Sequence, residues 1–150
     1  MPPTCPVRIE LTDFASHQSA IMAVRKAVFI DELGIPSTLE WDKQDAQAIY
    51  AIASTDQNII AIGRLLPDGR LGRLATLLAW RKQGIASKIL DCLINAARHA
   101  GHKQVHLSAQ LSTLDFYKSR GFIPTGQAFI AAGIQHQAMH RVLPVRHELL

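Results

Sequence analysis

The segment Arg81-Lys82-Gln83-Gly84-Ile85-Ala86 stands where an apolar strand gives way to a long amphipathic helix. The first N–H groups of a helix have no internal partner, and the helix dipole adds partial positive charge there. Such a terminus is a natural anion site. Gly84 permits close backbone approach, and Ala86 and Ser87 are small enough to leave room for a phosphate pair. Arg81 and Lys82 add cationic side chains. The amides of Lys82, Gln83, Gly84, Ile85, Ala86 and Ser87 are therefore the candidate cradle for a pyrophosphate. The segment lacks the spacing and the Lys-Ser/Thr pair of a Walker loop, and it is not the three-glycine dinucleotide fingerprint. A glycine also opens helices that bind nothing, so the segment by itself indicates an anion and no more.

A second chemically capable group lies in Asp115-Phe116-Tyr117-Lys118-Ser119-Arg120-Gly121-Phe122. The Tyr117 phenol stays protonated near neutral pH and can give a proton to a basic leaving group. Its ring can equally be packing beside Phe116. Cys5 and Cys92 lie in no nucleophile motif. Without a secretion signal a disulfide between them is not expected, and Cys92 reads as a small buried hydrophobe. His136 and His140 are four apart, but in a strand-like stretch. No cluster has metal-ligand spacing, so no metal is expected.

The elements that must position these groups follow from periodicity. Residues 7–11 alternate as a strand. Asp13 or Ser16 can cap a helix whose period includes Ile21, Val24, Arg25, Val28 and Phe29 and which ends at Leu33-Gly34, with Pro36 beyond. Residues 36–47 read as an acidic loop with one helical turn. Residues 48–54, 59–66 and 71–77 read as three strands joined by short turns, an antiparallel meander. A helix over 84–100 buries Ile85, Ile89, Leu90, Leu93, Ile94 and Ala97 on one face, and Gly101 ends it. A strand over 105–109, a short helix over 112–120, and strands over 122–129 and 137–142 complete the chain. The expected fold is α/β (α+β), β-α-β-β-β-α-β-α-β-β: one mixed, mostly antiparallel central sheet with helices on both faces. The long helix should connect two parallel neighbours.

The 150 residues fit one domain, with no linker or repeat. No apolar run is long enough to span a membrane, and the start lacks a signal peptide, so a cytoplasmic location is expected. The formal charge of +4 suits steering of a polyanion. The basic residues are scattered without aromatic interleaving, which argues against nucleic acid as partner.

Arg-x-x-Gly-x-Ala at 81–86, followed by Phe-Tyr-x-x-x-Gly-Phe at 116–122, resembles the GCN5-related N-acetyltransferase (GNAT) superfamily. The order of elements agrees over nearly the whole chain. Arg25-Lys26-Ala27-Val28-Phe29-Ile30-Asp31-Glu32, Glu40-Trp41-Asp42-Lys43-Gln44-Asp45, and Gly133-Ile134-Gln135-His136 with Met139 resemble its ElaA-like branch. The resemblance implies acetyl-coenzyme A as co-substrate and direct transfer to a primary amine. It implies a third meander strand that splays from the next strand, with the backbone of Leu74, Ala75 and Thr76 pairing with pantetheine and the Thr76 amide polarising the thioester. Lys82 to Ser87 match its pyrophosphate loop, Tyr117 its proton donor to the departing thiolate, and Gln110 a position where the family often has asparagine.

The general base is left open. Where some members carry a glutamate this chain has Val105, and Tyr50 stands where the branch suggests a histidine. Glu40, Asp42, Asp45, His106, His136 or a water chain remain. Glu32, Glu40, Asp42 and Asp45 are expected as an acidic mouth for a cationic amine, and Glu40, Asp42, Asp45 and His136 are the candidate acceptor-binding residues. The alternative is a CoA-binding regulatory module without catalysis. Monomer and homodimer are both compatible with the sequence.

Overall fold

The computed structural model describes residues 6–56 and 58–144, so Cys5 lies outside it. Strand β1 (Arg8–Asp13) leads through a tight turn into α1 (Gln18–Arg25). The Asp13 carboxylate caps that turn, accepting from the Ser16 amide at 2.8 Å. Helical backbone continues as a wider π-type segment over Lys26–Glu32, and Gly34 ends it at φ +75°. The acidic stretch contains one turn of helix, α2 (Ser37–Glu40). Then come β2 (Ile49–Thr55), β3 (Asn58–Leu65), β4 (Leu71–Thr76), α3 (Ile85–His99), β5 (Gln104–Gln110), α4 (Leu114–Ser119), β6 (Ile123–Ala131) and β7 (Ile134–Val142). The expected order of elements is present, with ends shifted by a few residues.

The strands form two antiparallel leaves, β1-β2-β3-β4 and β5-β7-β6, which together make the mixed, mostly antiparallel sheet expected and are divided at the expected splay. As the crossover rule requires, β4 and β5 run parallel. They meet at a single bridge, Arg70 to His106, with the His106 amide donating to the Gly69 carbonyl at 3.2 Å. Beyond that vertex the two strands form no ladder.

A bulge in β4 accounts for the separation. Ala75 faces Ile62 and Gly72 faces Arg64, so Arg73 and Leu74 together oppose Gly63. Such an insertion bends a strand and raises its twist. Arg73 takes the left-handed conformation, φ +50°, which costs a non-glycine residue about 1–2 kcal/mol. Gly63 is required for a different reason. A Cβ there would lie 2.7 Å from Ile89 Cγ2 and 2.8 Å from Leu93 Cδ1. Helix α3 therefore seats directly on the backbone behind the bulge.

Two cores flank the first leaf. Ile21, Val24, Val28 and Phe29 of the first helix pack on Tyr50, Ile52, Ile62 and Ala75. On the other face, Ile85, Ile89, Leu90, Leu93 and Ile94 of α3 pack on Ala51, Ala61 and Leu71, and also on Val105, Leu107 and Met139 of the second leaf. α3 thus holds both leaves from one side. β6 is an outer strand, exposed along its length.

Candidate functional site

The open end of the cleft between β4 and β5 leads to the start of α3. Gly84 adopts φ +79° at the N-cap, no side chain caps the helix, and its first turn holds no acid. The amides of Lys82 to Ser87 enter no turn or loop hydrogen bond among the described residues. A Cβ on Gly84 would meet nothing within 4 Å, so the space above the helix end is open. Lys82 is itself left-handed at φ +64°. Unpaired donors at a helix start are an arrangement that can receive an anion.

Arg81 does not add free charge to it. Its guanidinium makes a two-pronged pair with Glu32, and its Nε donates to the Thr76 carbonyl at 2.9 Å. Arg81 is a strap from the loop to the first helix. A cation the sequence reading missed is Arg120, whose Nη2 donates to Ser87 Oγ and whose guanidinium lies 5.7 Å from the Phe116 ring centre. Only its place beside the Gly121-Phe122 pair could have drawn notice, and one residue type there gives no direction.

Strand register orients the backbone of β4. The Leu77 amide donates to the Ile60 carbonyl at 2.9 Å. Successive residues of a strand aim their amides to opposite sides. The Thr76 amide therefore faces the cleft, whereas Ala75 faces β3; Leu74 lies in the bulge, where that alternation is interrupted.

Tyr117 extends from α4 and meets Phe116 and Phe122 edge-to-face at 5.1 and 5.7 Å. Burial pushes its phenol up to about 12. The packing reading and the proton-donor reading are both compatible with this geometry, because a buried phenol keeps its proton. Gln110, at the end of β5, is the register partner of His136 on β7. His136 stacks on Phe129 at 5.8 Å, and its Nδ1 lies 2.8 Å from the Ile134 carbonyl. A carbonyl only accepts, so Nδ1 carries the hydrogen. Val105 and Leu107 of β5 are core residues; alternation puts Gln110, Ser108 and His106 on the opposite face, with His136 and His140 beside them.

The acidic stretch is not an open mouth. Buried Arg25 donates to the Glu40 carboxylate, to its carbonyl at 2.7 Å, to Asp45 at 2.8 Å and to the Tyr50 hydroxyl at 2.8 Å. Arg64 holds Asp42 and Asp45, each at 2.9 Å. Arg73, at the bulge, pairs with Glu40 at 2.8 Å and Asp42 at 3.2 Å. Burial raises Asp42 and Asp45, but hydrogen bonds outweigh it: Arg64 on Asp42, Tyr50 with both arginines on Asp45. Both sit below the usual carboxylate range. Burial, with the hydrogen bond to Asp45, pushes Tyr50 far up, so it stays a neutral donor at 2.6 Å. Glu40, Asp42 and Asp45 are thus matched by guanidinium groups, and Glu32 by Arg81. Carboxylates with such partners do not supply a negative surface. Arg25 on an apolar helix face and Arg64 within a buried strand were the available signals of this cluster.

No group of three or more His, Cys, Asp and Glu among the described residues could hold a metal. No helix among them is long and apolar enough to cross a membrane.

Residues 22–143 match the family model for the acetyltransferase (GNAT) domain. The UPF0039 protein sll0451 of Synechocystis is 30% identical over 138 residues, covering 87% of this chain and 88% of that one. ElaA of Escherichia coli is 26% identical over 134 residues, covering 84% and 88%. The crystal structure of E. coli ElaA superposes with a TM-score of 0.81 at 23% identity, over 91% of this chain and 99% of that one. An acyl-CoA N-acyltransferase of Pseudomonas aeruginosa gives 0.81 at 24% identity, over 90% and 99%. Sequence and fold therefore agree across the cleft and both leaves: this protein is an acyltransferase of the GNAT family, in its ElaA-like branch.

Proposed function

We propose that the chain transfers an acetyl group from acetyl-CoA to a primary amine by direct attack, without an acyl-enzyme. The observation that carries this is the cleft itself. Two parallel strands part beyond a single bridge, and at their open end lies an uncapped helix terminus. A long, narrow donor with a diphosphate at one end fits that arrangement.

The amides of Lys82, Gln83, Gly84, Ile85, Ala86 and Ser87 would hold the diphosphate, with Arg120 alongside. The cleft-facing backbone of Thr76, with Leu74 at the bulge beside it, would pair with the pantetheine arm, and Gln110 would bond it from β5. Ala75 serves through its side chain, 3% exposed in the core that sets the position of β4. Acetyl-CoA supplies an activated acyl carbon and a thiolate leaving group. The Thr76 amide would accept the charge that develops on the thioester oxygen.

The amine nitrogen bonds to the acyl carbon as the C–S bond breaks. One ammonium proton goes to the base before attack; the departing thiolate takes the Tyr117 phenol proton, and the second proton shed by the new amide nitrogen restores the phenol through solvent. His136 is the best-placed base. Its Nδ1–H is directed to the Ile134 carbonyl, which leaves the Nε2 lone pair free to accept, and its register partner is Gln110. Glu40, Asp42 and Asp45 are poor bases because arginines hold them. They frame the site rather than receive the amine. His106 sits deeper, at the vertex.

Thiol release from acetyl-CoA with an amine panel, read beside CoA binding by calorimetry, tests the reading. Binding together with amine-dependent thiol release is expected. Binding without release for any amine would favour the regulatory module.

A further inference from the structure

The second leaf carries a feature that acetyl transfer alone does not use. Its face away from α3 holds an open concavity of about 420 Å³, whose polar lining is Arg70, Gln104, His106, Ser108, Thr125 and His140 and whose remaining lining is apolar. It begins at the vertex, where Arg70 bridges to His106. No carboxylate lines it. Asp68, in the turn before Arg70, directs its carboxylate to the Arg70 amide at 3.0 Å. No ion pair engages the Arg70 guanidinium among the described residues. His106 and His140 face each other as register partners. Thr125 Oγ1 lies 2.6 Å from His140 Nδ1, which fixes that ring.

The same face continues to the chemistry. His106, Ser108 and Gln110 alternate along β5, and His140, Ala138 and His136 run beside them on β7. Gln110 and His136 therefore stand four residues of strand from His106 and His140, roughly 13 Å at about 3.3 Å per residue. One track joins the reacting end of the cleft to the concavity at its closed end.

Resting on the acetyl-transfer reading, we infer that this concavity binds the far end of the acceptor and that the acceptor is an amine bearing a carboxylate or phosphate several bonds from its nitrogen. Arg70 presents a permanent cation in fork geometry suited to either group. Ring N–H of His106 and His140 and the hydroxyls of Ser108 and Thr125 add donors. A polyamine finds no counter-charge there, and the carboxylates that might have drawn one are held by Arg25, Arg64 and Arg73.

The test compares amines that differ only at the far end and are long enough for the track: ω-aminodecanoate, aminodecyl phosphate and decylamine, with ω-aminooctanoate and octylamine as a second pair. The anionic member of each set should show kcat/KM higher by roughly tenfold to a hundredfold, the range for a hydrogen bond to a charged group. The carboxylate and phosphate arms decide which anion is preferred. Arg70→Gln should collapse the ratio toward one, and the imidazole resonances of His106 and His140 should shift when ω-aminodecanoate is added to the CoA complex. Equal rates for both members, or a ratio unmoved in Arg70→Gln, overturns the inference. So does an absence of both binding and reaction for every anionic amine. The acetyl-transfer reading fails separately, only if no amine at all releases thiol.

Discussion

Arg73 and Glu40 form a 2.8 Å ion pair that joins the bulge of β4 to α2. Glu40 is 2% exposed and also holds Arg25. Glu40→Ala leaves both guanidinium groups short of a carboxylate in a buried place, a loss of about 3–5 kcal/mol. The thermal midpoint should fall by roughly 6–20 °C, at about 2–4 °C per kcal/mol for a domain of this size. Circular dichroism melting checks it. A fall under about 2 °C would mean the pair is no anchor.

Asp42 and Asp45 titrate lower in the folded chain than unfolded, because burial is outweighed by their bonds to Arg64, Tyr50 and Arg25. The unfolded chain therefore binds protons first on acidification. Their stabilisation is complete above the unfolded value of about 3.9 and is lost as pH falls through the lower folded values. Urea unfolding between neutral pH and this acid range should show a falling midpoint. Asp45→Asn should be less stable at neutral pH and should show a shallower acid decline. An unchanged slope would contradict the assignment.

Tyr117→Phe removes the proposed proton donor and keeps the ring contacts with Phe116 and Phe122. The rate should drop about 10²–10⁴-fold with CoA affinity little changed. In the parent, burial holds the phenol near 12. Alkaline loss of activity from this group should thus be absent up to that range. An unaltered rate in the variant would reduce Tyr117 to a packing residue.

His136→Gln keeps polarity on β7 but removes the proposed base. A loss of about 10²-fold or more in kcat, with acetyl-CoA KM held, is expected from steady-state kinetics. A change confined to KM would make His136 a binding group instead.

Much of this was legible in the sequence. Period and turn residues located every strand and both long helices, because α3 and β5 bury clean faces. The uncapped helix start at Gly84 and the phenol at Tyr117 are visible for the same reason: each rests on local spacing. What was hidden depends on partners distant in the chain. Arg25 meets Glu40, Asp45 and Tyr50 only after folding, so an acidic stretch read alone looked like an open mouth. Arg81 reads in the sequence as free charge beside the helix start because Glu32, its partner, lies on another element. The bulge at Arg73 was also hidden, since a left-handed arginine has no sequence signature. Ala75 faces β3 for a register reason that single-strand reading does not supply.

Gly84→Val should weaken CoA binding by calorimetry, since a branched side chain is strained at φ +79° and would fill the open space above α3. A loss of about tenfold or more is expected, the equivalent of about 1.4 kcal/mol. Unchanged affinity would remove the helix terminus from the binding site.

The vertex at Arg70 and His106 has a consequence for the donor. Between that fixed point and the amides at Lys82, the length of β4 and its loop is set by covalent geometry. On the proposed mode of binding the fold is a gauge: the diphosphate registers one end, and the reactive carbonyl falls where the arm runs out. A short thioester without the nucleotide carries the same acyl carbon but has nothing to index it against β4. Such a compound should be a poor donor however reactive it is, because the molecule reads length as well as charge.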